Sequence, residues 1–179
     1  SGCTAVMAAP PTTSRLSSQG LLEYYSALAE AVSLPIIVQD ASAYVGQAIP
    51  LSVYLDLLAK FGDSKILFKP EASPIGPKLS ELRDATKGRA RIFDGSGGIL
   101  LVDCYRRGIV GTMPGCEMID GQLALWNALH RGDEKAIYDL YLPICAIVTL
   151  QMQAGLDGFL AVEKDLLVKR GIFASAQRR

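Results

Sequence analysis

The sequence predicts an α/β fold organised around a parallel sheet, and three observations carry that expectation. Short apolar runs alternate five times with amphipathic helical stretches across brief connections, the arrangement of βα units. The run Ile66-Leu67-Phe68 is apolar without interruption, as a strand covered by helices on both faces must be. Past Met113 the pattern becomes helical to the end of the chain.

The first strand lies within residues 3–9 and is stopped by Pro10-Pro11. Ser17 or Ser18 then caps a helix over about residues 20–32, where Leu21, Leu22, Tyr25, Leu28, Ala29 and Val32 recur at three-to-four spacing. Pro35-Ile36-Ile37-Val38-Gln39-Asp40 is the second strand. Pro50 suits the first turn of a helix that Leu51, Tyr54, Leu55, Leu57 and Leu58 carry to Phe61-Gly62. In the third strand, period-two alternation puts Leu67 and Lys69 on one face, Ile66 and Phe68 on the other. Pro70 is expected to end its ladder. A loop with Pro74, Gly76 and Pro77 precedes a helix holding Leu79, Leu82 and Ala85, closed by Gly88. Residues 91–94 form a short fourth strand that runs into Gly95-Ser96-Gly97-Gly98 and a helix, and residues 109–113 form a fifth. Three helices follow, over roughly residues 118–130, 134–153 and 156–170. Asp133 caps the second of them, and Pro143 is expected to kink or break it.

Half of the 179 residues are hydrophobic, and 18 Lys and Arg balance 18 Asp and Glu. That is ample material for a core, with no electrostatic footprint for nucleic acid or an anionic membrane. Cys3, Cys104, Cys116 and Cys145 are widely spaced, without a CxxC pattern. They are expected to be reduced, mostly buried thiols of a cytoplasmic protein. His130 is the only histidine, which excludes a histidine-rich metal centre and leaves little scope for Ser-His or Cys-His catalysis. No run reads as long enough to span a bilayer, and none as a signal peptide. The chain begins at Ser1 inside what reads as a strand, so the natural protein is expected to begin earlier.

Chemistry concentrates at the strand ends. Lys69 closes the buried strand, where parallel α/β folds carry their active sites. Desolvation there would lower its pKa and free the lone pair for attack on a carbonyl. The alternative is an ammonium that reaches out to water beside Glu71. Gly95-Ser96-Gly97-Gly98 offers backbone N–H groups to an anion or is simply a tight turn. It lacks the third glycine of a dinucleotide fingerprint and the lysine of a P-loop. Asp40, Glu71 and Asp94 follow three strand ends and are candidates for metal binding or acid–base work. The plainer reading, preferred here, is that Asp40 and Asp94 cap loops and that Glu71 neutralises or orients its lysine neighbourhood.

Phe68-Lys69-Pro70-Glu71-Ala72-Ser73 resembles the Schiff-base lysine motif of the dihydrodipicolinate synthase/N-acetylneuraminate lyase family. Further stretches fall in that family's order. Ala5-Val6-Met7-Ala8-Ala9-Pro10-Pro11 resembles its fourth strand, and Leu34-Pro35-Ile36-Ile37-Val38-Gln39-Asp40 its fifth. Phe93-Asp94-Gly95-Ser96-Gly97 and Gly108-Ile109-Val110-Gly111-Thr112-Met113 resemble its seventh and eighth, and Arg131-Gly132-Asp133-Glu134-Lys135-Ala136 its C-terminal helical region. The resemblance implies a (β/α)₈ TIM-type barrel, here the C-terminal part with about five βα units. Residues 1–117 would supply the barrel part, and residues 118–179 the last barrel helix and the appended helices.

It also implies a cofactor-free lyase, aldolase, synthase or dehydratase acting on pyruvate or 2-keto-3-deoxy acids. Lys69 would form the Schiff base, with Gly95, Thr112 and Met113 binding substrate. No metal, nucleic acid or membrane partner is implied, and a homo-oligomer, dimer or tetramer, is expected. Two departures qualify this. The family's fifth-strand proton-relay tyrosine is matched here by Val38, with Tyr44 a candidate substitute. The family's first three strands have no counterpart, and five strands cannot close an eight-stranded barrel; a fragment of a longer protein is expected. Two other readings stand beside this one. The first is a non-catalytic barrel that binds keto acids or serves in assembly. The second is a metal-dependent enzyme using Asp40, Glu71 and Asp94.

Overall fold

A computed structural model describes residues 2–42 and 47–177, so Tyr44 lies outside the described residues. The chain forms two compact units, one of Ser1–Gly95 with Arg106–Gly111, the other of Ser96–Tyr105 with Thr112–Arg179. The alternation expected from sequence is present. The elements run β1 (Val6–Ala8), α1 (Ser18–Ala31), β2 (Ile36–Asp40), α2 (Leu51–Phe61), β3 (Ile66–Pro70), α3 (Ile75–Ala85), β4 (Phe93–Asp94), α4 (Leu101–Arg106) and β5 (Gly111–Thr112). Helices α5 (Ile119–Arg131), α6 (Glu134–Gln151) and α7 (Gly155–Lys169) complete the chain.

In the first unit β1, β2 and β3 pair in that order, all parallel. Phe68 forms a parallel bridge to Ile92 beyond β3, and β4 pairs with β5. The apolar residues of β2 and β3 are buried, with Ile36, Val38, Ile66 and Phe68 fully enclosed. Leu21, Tyr25 and Ala29 of α1 and Val53, Tyr54, Leu57 and Leu58 of α2 are buried as well, each large side chain contributing about 2 kcal/mol of apolar transfer. The Tyr54 ring meets Phe68 edge to face at 5.3 Å, so α2 covers the face of β3 opposite Lys69. Ser17 is the α1 N-cap, its hydroxyl accepting from the Gly20 N–H at 3.1 Å.

Two expectations about proline are corrected here. The ladder runs past Pro70, because the Glu71 N–H donates to the Asp40 carbonyl at 2.9 Å. Phe68 donates the other way, to Arg91, and by the two-residue period Pro70 lacks an N–H only on that side. Helix α3 begins at Ile75, ahead of the expected start, with Pro77 in its first turn, where a missing N–H costs no helical bond.

In the second unit α5 buries Gln122, Leu125, Ala128 and Leu129, and α6 buries Ile137, Ile144 and Val148. The turn between them is as expected: Gly132 adopts φ 66° and the Asp133 carboxylate accepts from the Ala136 N–H at 3.1 Å. Helix α6 does not break at Pro143; the buried Ile137 and Ile144 hold both sides of it against the interior. The cysteines are all free, but Cys3 and Cys116 are exposed and only Cys104 is fully buried, which corrects the expectation of mostly buried thiols.

The stretch Glu134–Lys169 contains an 18-residue window, of mean hydropathy 1.4, that is long and apolar enough to cross a membrane by length and composition alone. That corrects the expectation that no run reaches this length. The stretch is nevertheless two helices folded together. Val148 lies 3.5 Å and Phe159 3.8 Å from the Cβ position of Gly97, whereas a straight helix would set them about 16 Å apart. The chain reverses near Gly155, which adopts φ 61°.

Candidate active site

Parallel pairing decides which side chains stand beside Lys69. Gln39 is its register partner on β2, Val38 is that of Phe68, and Asp40 that of Pro70. Partners in register project to the same face of a sheet, so Gln39 and Lys69 share one face while Val38 and Asp40 share the other. The residue matched to the family tyrosine is thereby corrected: Val38 is buried on the helix side, and Gln39 is the side chain next to the lysine.

Lys69 is only 6% exposed and Glu71 7%. The Lys69 ammonium lies 3.4 Å from Glu71 Oε1, and Gln39 Nε2 donates to Glu71 Oε2 at 2.5 Å. A carboxylate thus bridges an amine and a carboxamide at the carboxyl end of two adjacent strands. The reading in which Lys69 extends into water does not hold. Gly95 closes the group from the other side. A Cβ at that position would collide with Glu71 Oε1 and sit 2.5 Å from Lys69 Cε; only glycine lets the chain pass so close.

The three strand-end carboxylates do not converge. Both oxygens of Asp40 serve its own loop: Oδ1 accepts from Ser42 N–H at 3.1 Å and Oδ2 from Ile49 N–H at 2.9 Å. Tyr54 reaches the same Oδ2 at 3.5 Å; burial, and then the Asp40 charge, push this phenol well above the ordinary tyrosine range. A cavity of about 280 Å³ lined by Asp40, Ile49, Tyr54, Pro70 and Lys78 opens on that face, away from Lys69. Asp94 is buried at the end of β4. Among the described residues no three His, Cys, Asp or Glu side chains come together as a metal would require.

The glycine-rich loop is a tight turn. Gly97 and Gly98 adopt φ 69° and 104°, and Ser96 Oγ accepts from the Leu100 N–H at 3.0 Å. Gln122 Nε2 donates to the Gly97 carbonyl at 2.6 Å, and a Cβ on Gly98 would meet the Gln122 amide. Thr112 ends β5 and Met113 follows it, both half-buried in the second unit. His130 caps its helix end, its Nδ1 2.9 Å from the Trp126 carbonyl and its ring against Tyr105 and Trp126.

No protein-family model matches the chain. Individual proteins do. L-2-keto-3-deoxyarabonate dehydratase of Azospirillum brasilense is 31% identical over 99% of the chain. The crystal structure of dihydrodipicolinate synthase from Rhodopseudomonas palustris superposes with a TM-score of 0.84 over 99% of the chain at 24% identity. A Ruminococcus gnavus sialic acid aldolase, solved as its catalytic lysine mutant, superposes with a TM-score of 0.80 over 96% at 16% identity. The homologues and structural neighbours of this chain are dihydrodipicolinate synthase and sialic acid aldolase family members. The fold is accordingly part of a (β/α)₈ barrel with C-terminal helices. The chain spans 57%, 60% and 56% of those three proteins' lengths. The homologues found by sequence are this dehydratase and several 4-hydroxy-tetrahydrodipicolinate synthases, among them that of Chlorobium limicola, 28% identical over 56% of the chain.

Proposed function

We propose that the protein is a class I lyase of 2-keto-3-deoxy acids, most simply a dehydratase, working through a Schiff base on Lys69. The observation that carries this is the buried Lys69–Glu71–Gln39 group at the β2 and β3 carboxyl ends. The Lys69 amine attacks the C2 ketone and water departs, leaving an iminium that acts as an electron sink. The C3 proton then passes to a base, and the enamine expels the C4 hydroxyl as water. Hydrolysis of the resulting imine frees Lys69 and the product.

Glu71 is the carboxylate in contact with the amine, and its position suits it to take the C3 proton and return it to the leaving hydroxyl. Gln39 cannot relay a proton as a phenol does; it orients Glu71 and hydrogen-bonds substrate oxygens. Gly95 leaves room at the amine. No cofactor takes part in these steps. The 31% identical dehydratase supports this chemistry over condensation with an aldehyde. The sialic acid aldolase of the same fold, solved with its catalytic lysine replaced, supports the choice of a lysine.

The test is turnover of L-2-keto-3-deoxyarabonate and other 2-keto-3-deoxy acids by the natural-length protein and by K69R and E71Q. Loss in both variants with the fold intact supports the proposal. Tight keto-acid binding with no turnover on any of them would replace it with the non-catalytic barrel, the reading that a glutamine in place of the relay tyrosine favours.

A further inference from the structure

The second unit holds a buried carboxylate that the chemistry at Lys69 does not use. Glu117 lies on the short helical turn Cys116–Met118 that follows Gly115, and is 2% exposed. Its Oε1 accepts from Gln151 Nε2 of α6 at 2.6 Å, and its Oε2 accepts no hydrogen bond among the described residues. What faces it is a second carboxyl. A Cβ on Gly115 would collide with Glu117 Oε2 and lie 3.0 Å from Glu163 Oε1, so the turn and α7 bring two acids together over one glycine.

The other groups around the pair do not neutralise it. Arg170, at the end of α7, donates to the Glu117 carbonyl and pairs with Asp120 of α5 at 2.8 Å. Gln151 is uncharged. Cys116 presents its N–H and Sγ to Glu163 Oε1 at 3.4 Å and 3.6 Å. Two ionised carboxylates that converge on one glycine, Glu117 buried and Glu163 half-buried, repel each other. We propose that Glu117 and Glu163 share one proton, and that this shared proton is a pH-sensitive clasp fastening the Cys116–Met118 turn to α7.

Burial, and then the Glu117 charge, hold the Glu163 carboxyl above its ordinary value. The folded state therefore binds the proton more tightly than the unfolded chain does. The clasp is complete below the ordinary glutamate range and weakens as pH climbs through the raised value. The clasp is independent of any reaction at Lys69.

The test is the thermal unfolding midpoint of the full chain and of E163Q and E117Q between about pH 3.5 and about pH 8. An amide at position 163 keeps a donor at every pH. E163Q should match the parent at the acid end and exceed it by about 3 °C at the alkaline end. A carboxylic-acid C=O infrared band should persist near neutral pH in the parent and vanish in both variants. Midpoints that run parallel across the range, or absence of that band, would overturn the proposal. So would calcium raising the parent's midpoint but not that of E163Q, since a cation would then bridge the acids.

Discussion

At the scale of single residues, the local sequence discloses the lysine and conceals its neighbour. Lys69 stands out because an apolar strand ending in an amine is chemically unusual whatever surrounds it. Glu71, two residues on, was legible as its partner, and the 3.4 Å pair bears that out. Gln39 was not, because which side chain stands beside Lys69 depends on the register between β2 and β3, and a shift of one residue exchanges the two faces. Turnover should fall by about 10³-fold in E71Q, with the amide preserving the volume and the contact with Gln39; an unchanged kcat would remove Glu71 from the chemistry. Truncation in E71A leaves a buried ammonium without its partner and should cost about 3 kcal/mol of stability, measurable by urea unfolding. Gly95→Ala should abolish turnover while the far-ultraviolet circular dichroism is unchanged, because its methyl would occupy the space between Glu71 and Lys69.

At the scale of elements, alternation and capping were readable and the effects of proline were not. The caps at Ser17 and Asp133 are local hydrogen bonds and follow from residue type. Pro70, Pro77 and Pro143 depend on which side needs an N–H, and that is set by partners far along the chain. Pro143 sits exposed within a continuous helix, where a proline costs about 3 kcal/mol relative to alanine. P143A should therefore raise the thermal midpoint; a fall would mean that α6 is bent there to a purpose. Strands β4 and β5 are shorter than the apolar runs that suggested them, since ladder length depends on the neighbouring strand as much as on propensity.

At the scale of the whole molecule, the chain matches just over half the length of its relatives. The fold class was legible because alternation of strand and helix leaves few architectures open. Which strands close the sheet was not, since closure is a property of the complete set. Val6 and Met7 of β1 are 37% and 46% exposed, and the second unit presents Leu123, Leu142, Leu150 and Met152 to solvent. We propose that these exposed apolar side chains are covered in the natural-length protein, by its remaining strands or by a second copy. Sedimentation of the natural-length protein should give a dimer or tetramer, and L123E with L150E should shift it toward monomer; a monomeric parent would exclude the second copy.

The central claim is that the Lys69 amine captures a 2-keto acid, and reductive trapping tests it most directly. Borohydride added to the natural-length protein with pyruvate should leave a stable adduct whose mass maps to the peptide containing Lys69, absent in K69R. An adduct on another lysine, or none while Lys69 still reacts with a small amine-modifying reagent, would contradict the account.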